Sequence, residues 1–168
     1  MPKKRASPFY LYEEILKKLA KAEVRYLVIG GFAVGLYGIP RPTNDIDFML
    51  ALDEENIKKF VKISNQLGLK PKVPADPLGL ADPPTVKKWQ KRNMKVFSFI
   101  HPNNPYIIVD IMTEKYLDFE KAYKQRRIIP SFGVTISVIG IDDLIALKKI
   151  AGRDQDLSDI AALRRLKK

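Results

Sequence analysis

Val28-Ile29-Gly30-Gly31, followed by Arg41-Pro42-Thr43-Asn44-Asp45-Ile46-Asp47-Phe48, is the stretch on which the fold turns. Val24 to Ile29 is a short, apolar, β-branched run and predicts a buried strand, which the glycine pair ends sharply. Phe32 to Tyr37 then predicts a short helix, stopped by Gly38 and Pro40. Asp45 to Leu50 opens on a polar–apolar alternation and predicts a second strand. Alternate strand residues share a face, so Asp45 and Asp47 point the same way, roughly 7 Å apart at Cα for a rise of ~3.3 Å per residue. Ile46 and Phe48 point into the core. Two carboxylates side by side repel each other, and folding does not ask for them. A divalent cation relieves that repulsion. Hard cations such as Mg2+ take oxygen ligands, commonly one or two carboxylates together with phosphate oxygens. Phosphoryl transfer needs little beyond such positioning and charge neutralisation.

The glycines supply the complementary half. Without a Cβ, their backbone lets a bulky phosphate approach closely, and the helix that follows starts with free N–H groups and a partial positive charge. Arg41 and Thr43, just ahead of the carboxylates, offer a guanidinium and a hydroxyl near the same phosphates. A Gly-Gly alone reads as a turn and an Asp-x-Asp alone as surface. The order strand, Gly-Gly, helix, loop, Asp-x-Asp is what gives them chemical meaning.

Working outward, Leu11, Ile15, Leu16 and Leu19 recur at helical spacing and predict an amphipathic helix over Phe9 to Ala22. Asp53 is a plausible N-cap for a helix carrying Ile57, Phe60, Val61 and Ile63. Gly68 to Pro84, rich in Pro, Gly and Asp, predicts a mobile loop, and Thr85 to Arg92 a helix. Val96 to Ile100 and Tyr106 to Ile111 predict two strands joined by a turn at His101-Pro102-Asn103-Asn104-Pro105. A helix over Leu117 to Gln125, a strand over Val134 to Val138 and a helix over Ile141 to Ala151 follow. Gly152 stops the last of these, and Asp154 is expected to cap a final helix carrying Leu157, Ile160, Ala161 and Leu166. Helices and strands mix without strict alternation. The expectation is one α+β (α/β) domain over the 168 residues, with a small mixed sheet flanked by helices. Its core runs from about residue 10 to 138, and its C-terminal helices from 141 to 166.

Composition narrows the functions. The chain has no cysteine, which excludes disulfides, zinc–thiolate sites and thiol nucleophiles. His101, the single histidine, precedes proline in the expected turn, so a Ser-His-Asp hydrolase is disfavoured. No apolar run approaches the ~20 residues that span a bilayer. Met1-Pro2-Lys3-Lys4-Arg5 is basic but leads into no apolar stretch of the signal-peptide kind, so the expected location is the cytoplasm, with no membrane partner. The formal charge of +11 favours anionic partners. It gathers at Lys87, Lys88, Lys91 and Arg92 and at Arg164, Arg165, Lys167 and Lys168.

The quoted glycine and aspartate motifs resemble the signature of the nucleotidyltransferase superfamily that includes DNA polymerase beta. The resemblance is nearest to its small prokaryotic branch of abortive-infection-type toxins and antibiotic nucleotidyltransferases. It implies a nucleotidyltransferase fold and a third carboxylate from a later strand, a position that Asp110 in Ile107-Ile108-Val109-Asp110-Ile111 matches. An acid in so apolar a strand is costly to bury unless paired or metal-bound. Asp143-Leu144-Ile145-Ala146-Leu147-Lys148, Ala151-Gly152-Arg153 and Asp156-Leu157-Ser158-Asp159 resemble the toxin-like branch's closing motif. By that resemblance Lys148 and Asp156 face the active site, Lys148 meeting nucleotide phosphates and Asp156 positioning the acceptor or the lysine, with Asp159 similar. Many relatives carry serine where Thr43 or Asn44 stand.

The implied enzyme transfers a nucleoside monophosphate from a nucleoside triphosphate to an acceptor, with Mg2+ or Mn2+ held by Asp45, Asp47 and Asp110. RNA is the favoured acceptor on charge, and a toxin-like enzyme would have a cognate protein partner. The alternatives are a non-catalytic module of the same fold and a basic RNA-binding protein with incidental acids.

Overall fold

The computed structural model describes residues 8–167; the basic N-terminus of Met1 to Arg5 and Lys168 lie outside them. Helix α1 (Pro8–Lys21) leads to strand β1 (Tyr26–Ile29), which passes directly into helix α2 (Gly30–Leu36). Strand β2 (Asp45–Leu50) returns antiparallel to β1, with Ile29 opposite Asp47. Helix α3 (Glu54–Gln66) follows, capped by the Asp53 side chain on the Asn56 N–H. Then come the short strand β3 (Lys70–Pro71), a 3-10 turn at Pro77–Ala81, helix α4 (Pro83–Lys91), and the hairpin of β4 (Val96–His101) and β5 (Asn104–Met112). Helix α5 (Phe119–Lys124), the hairpin of β6 (Arg127–Ser131) and β7 (Val134–Val138), and helices α6 (Ile141–Ala151) and α7 (Asp154–Leu166) complete the chain.

The strands form one mixed sheet of seven in the order β3-β4-β5-β2-β1-β7-β6. β5 runs parallel to β2 and β7 parallel to β1; the other neighbours are antiparallel. The period-two pattern of β2 divides the sheet's faces. Ile46 and Phe48 are fully buried. The Phe48 ring meets Tyr26 and Phe60 edge-on, and Phe60, from α3, reaches Phe99 on β4. This aromatic chain, with Leu16 and Leu19 of α1 and Ile57 of α3, makes the core on one face. The carboxylates of Asp45 and Asp47 are thereby turned to the other.

Several elements differ from the sequence reading. Residues 68–84 are not a loose loop. Leu80 is buried, Gly79 packs closely under Trp89 and Thr85, and the side chains of Asp76 and Asp82 cap the turn and α4. The β4–β5 hairpin is tighter than expected, because β4 continues to His101 and β5 begins at Asn104. Strand β6 is an addition to the expected elements: Pro130 weakens the pattern, yet this is the outermost strand, where a residue with no N–H to give is tolerated. Its turn into β7 puts both Phe132 (φ 54°) and Gly133 (φ 74°) in the left-handed region, the backbone of a tight hairpin. Asp154 does not cap α7. Arg153 holds the cap position, and its backbone N–H donates to the Asp156 carboxylate at 3.1 Å.

Buried Asn56 joins α3 to β1. Its amide nitrogen donates to the carbonyls of Arg25 (2.9 Å) and Ala51 (2.8 Å), and its oxygen accepts from the Arg25 N–H at 2.8 Å. Asn56→Ala leaves the Arg25 N–H and the Ala51 carbonyl without these partners, at an expected cost of roughly 2–3 kcal/mol, read as a lower urea midpoint with an unchanged slope.

Candidate active site

Asp47 and Asp110 occupy matched positions on the parallel strands β2 and β5, and Ser98 on β4 is the next position across. The register therefore aligns Ile29, Asp47, Asp110 and Ser98 across the sheet. With Asp45 two residues before Asp47, three carboxylates converge. One oxygen from each lies within 4.8 Å of the others, close enough to share an ion. All the donors are oxygens, the set a hard divalent cation takes.

The surroundings make the unliganded cluster electrostatically expensive. Burial, reinforced by the charges of Asp45 and Asp110, pushes the Asp47 carboxyl up to about 8. Lys148 and Arg153 act against that shift without cancelling it. Asp110 is also raised, chiefly by burial, while the Ser98 hydroxyl, donating at 2.5 Å, pulls the other way. Thr43 Oγ1 lies 3.1 Å from Asp45 Oδ1 and orients that carboxylate. Tyr12, buried in α1, donates its hydroxyl to the Asn44 carbonyl at 2.6 Å and accepts from the Ile108 N–H at 3.2 Å, tying β2 to β5 beside Asp45.

Each glycine of the pair has a distinct reason to lack a side chain. Gly30 sits at φ 67°, and a Cβ there would strike the Asp47 carboxylate. A Cβ on Gly31 would strike the Arg41 guanidinium. Arg41 is already committed: Nε pairs with Asp159 at 3.1 Å and Nη1 donates to the Pro42 carbonyl at 2.8 Å.

Lys148, at the end of α6, is 4% exposed, and its Nζ lies 2.8 Å from Asp159 and 3.4 Å from Asp156. Arg153 pairs with Asp156 at 2.9 Å. Burial would raise both acids. Arg153 and Lys148 outweigh it at Asp156, as do Lys148, Gln155 and Arg41 at Asp159, and both are held below the usual carboxylate range. Lys148 and Asp156 line the same cleft as Gly30 and Asp47, a space of about 460 Å³ between α6 and the sheet. Sequence reasoning missed Ser98, Tyr12 and Arg153. A lone serine in the apolar alternation of β4 was a signal for the first, and Arg153 stands in the quoted closing motif without a role having been assigned to it; Tyr12 acts through backbone register, which leaves no motif.

The model of the family described as "Nucleotidyltransferase of unknown function (DUF6036)" matches residues 9–167. The chain belongs to this nucleotidyltransferase family. No curated protein matches it in sequence. Among solved structures it is similar to TM1012 of Thermotoga maritima, provisionally assigned as a nucleotidyltransferase (TM-score 0.60, 19% identity, 96% of this chain and 93% of that one). It is also similar to the lincosamide antibiotic adenylyltransferase LnuA in its lincomycin-bound form (TM-score 0.58, 18% identity, 95% and 96%). A third is ANT(2'')-Ia in complex with adenylyl-2''-tobramycin (TM-score 0.53, 13% identity, 95% and 98%). At these identities the likeness shows a shared fold, the nucleotidyltransferase fold. No helix among the described residues is long and apolar enough to cross a membrane.

Two outcomes test this geometry. Folding raises Asp47 from 3.8 to about 8, so between those values the folded chain keeps a proton that the unfolded chain has released. The stability this contributes is complete below about pH 4 and is lost as pH rises to about 8. Without divalent metal, the melting temperature should fall over that interval more steeply in the unmodified protein than in Asp47→Asn. Gly30→Ala forces a side chain into left-handed backbone and onto Asp47; a destabilisation of roughly 1–3 kcal/mol is expected, together with loss of divalent-cation binding measured by calorimetry.

Proposed function

We propose that the protein is a metal-dependent nucleotidyltransferase whose reaction centre is the Asp45, Asp47 and Asp110 cluster. The observation that carries this is the in-register pairing of Asp47 with Asp110, held apart from the core and beside a glycine that yields its Cβ space to a carboxylate. These residues suit Mg2+ or Mn2+, which when bound would neutralise the non-bridging oxygens of the triphosphate. Asp45 and Asp47 would hold the nucleotide-bearing ion, and Asp110 would complete a second position.

In this reading an acceptor oxygen attacks the α-phosphorus, the bond to the bridging oxygen of the β-phosphate breaks, and pyrophosphate leaves. Asp110, raised by burial, is suited to take the acceptor's proton. Lys148, fixed by Asp156 and Asp159, faces the phosphates from α6, and the bare backbone of Gly30 and Gly31 gives them room. Arg41 is braced by Asp159 through Nε and by the Pro42 carbonyl through Nη1, which leaves Nη2 to meet a phosphate; Thr43 orients Asp45.

The acceptor is proposed to be RNA, on charge. The surplus of +11 exceeds what a triphosphate needs, and exposed Lys87, Lys88, Lys91 and Arg92 lie along and just beyond α4, with Arg164 and Arg165 exposed on α7.

Asp45→Asn and Asp47→Asn should each lower nucleotide turnover by at least about a hundredfold, the scale of losing a central charge stabiliser, and abolish Mg2+-dependent triphosphate binding while the fold is kept. Unchanged binding and turnover in both would overturn the reading. RNA affinity should fall with salt at a log–log slope of roughly −0.7 per phosphate contact. Replacing Arg164, Arg165, Lys167 and Lys168 should weaken RNA binding and spare triphosphate binding. No RNA binding at low salt would remove the RNA acceptor alone.

A further inference from the structure

Three of the large apolar side chains that folding leaves exposed among the described residues meet in one place. Val96 on β4 is 41% exposed, Tyr116 after β5 is 40%, and Ile150 on α6 is 53%. All three line the cleft that opens on Gly30, Asp47 and Lys148. Met112 and Leu147 fill the walls between them. Val96 and Met112 are paired across β4 and β5, one alternation beyond the pair of Ser98 and Asp110. The apolar slot therefore continues the acid cluster's face of the sheet without a break.

We propose that this slot is the nucleoside pocket of the enzyme and that it takes a purine. The proposal rests on the nucleotidyltransferase reading of the acid cluster and names what lies next to the phosphates. Which end of the substrate enters follows from the walls. The slot is bounded by Gly30, Asp47 and Lys148, the groups assigned to the triphosphate, and neither Asp45 nor Asp110 lines it. Asp110 instead faces Ser98 and feels the charge of Lys72, towards β3. The acceptor arrives on that side and the nucleoside lies on the other.

The choice of base follows from the lining chemistry. A space of about 460 Å³ accommodates a base and its ribose. Its polar side chains are largely spent or solvent-facing. Asp156 is engaged by Lys148 and Arg153, Lys148 by Asp156 and Asp159, and Lys95 and Arg153 are exposed at the rim. Among the described residues, no Asn, Gln, Ser or Thr side chain lines the slot to read a base edge. Burial against aliphatic and aromatic walls rewards area, and a purine offers more of it than a pyrimidine. The pocket should select by size and be nearly blind to the exocyclic groups that separate adenine from guanine.

The test is calorimetric binding, with Mg2+, of ATP, GTP, CTP, UTP and inorganic tripolyphosphate to the full chain and to Tyr116→Ala and Ile150→Ala. Both residues are exposed, and thermal melting checks that the variants fold. ATP and GTP should bind within about fivefold of each other, at least tenfold tighter than tripolyphosphate, and tighter than CTP and UTP. Each variant should lose about tenfold in ATP affinity, the low end of what stacking one base contributes, with tripolyphosphate affinity unchanged. Equal affinity for ATP and tripolyphosphate, or unchanged ATP affinity in both variants, overturns the pocket while leaving the acid-cluster reading intact. Variants that alter only the dependence of turnover on acceptor overturn it in the same way. A preference between ATP and GTP above about thirtyfold overturns recognition by size. Absence of Mg2+-dependent binding by both ATP and tripolyphosphate overturns the pocket and the nucleotidyltransferase reading together.

Discussion

Asp47 and Asp110 stand side by side on neighbouring strands whose other faces are packed solid, and most of the molecule answers to that placement. Strand pairing fixes them within reach of one another whether or not a cation is present. Burial and mutual repulsion then drive the Asp47 carboxyl to about 8. The chain compensates with positive charge brought from a distance: Lys148 on α6 and Arg153 at the start of α7 both act on Asp47. Lys148 is itself buried and would be costly unpaired, so Asp156 and Asp159 bind it; Asp156 also pairs with the exposed Arg153, and Asp159 also receives Arg41 from the loop before β2. The two C-terminal helices are thus joined to the sheet through alternating charges rather than through apolar contact alone.

That arrangement places an unusual share of buried polarity in one quarter of the fold. Lys148, Asp156 and Asp159 are three of the six buried polar or charged residues among those described. Replacing one partner of such a cluster strands the others, so changes here are expected to cost more than equal changes in the aromatic core. Fold and chemistry share the same side chains, and α6 and α7 belong to the site as much as to the scaffold.

The parts legible in sequence were those with a short period or a fixed order. Phe48 and Ile46 alternate with Asp47 and Asp45, and that alternation yields strand, face and core together. The glycine pair and the Asp-x-Asp motif are close in sequence and stay close in space. Asp110 could be placed because the resemblance implies a third carboxylate from a later strand and Ile107 to Ile111 carries one acid. What resisted reading depends on pairing across long separations. Ser98 matters only because β4 lies against β5 in one register. Tyr12 matters because a helix far earlier in the chain passes the start of β2. The ion pair of Arg41 with Asp159 joins residues 118 positions apart, and nothing near Arg41 in sequence reveals it. Residues 68–84 looked loose because caps by Asp76 and Asp82 order a proline-rich segment without any periodic signal.

The two rims of the sheet have a consequence of another kind. One outer strand, β3, is only two residues long and ends on Pro71; the other, β6, contains Pro130. An outer strand with free backbone donors and acceptors is a template on which a second chain can add. Proline removes a donor from the ladder and a two-residue strand offers almost no ladder at all, so neither rim presents a continuous template. A chain that keeps hydrophobic, β-branched strands such as Ile107 to Ile111 at the centre of its sheet thereby guards against runaway strand addition at its margins, and it does so with backbone chemistry that survives changes of salt and pH.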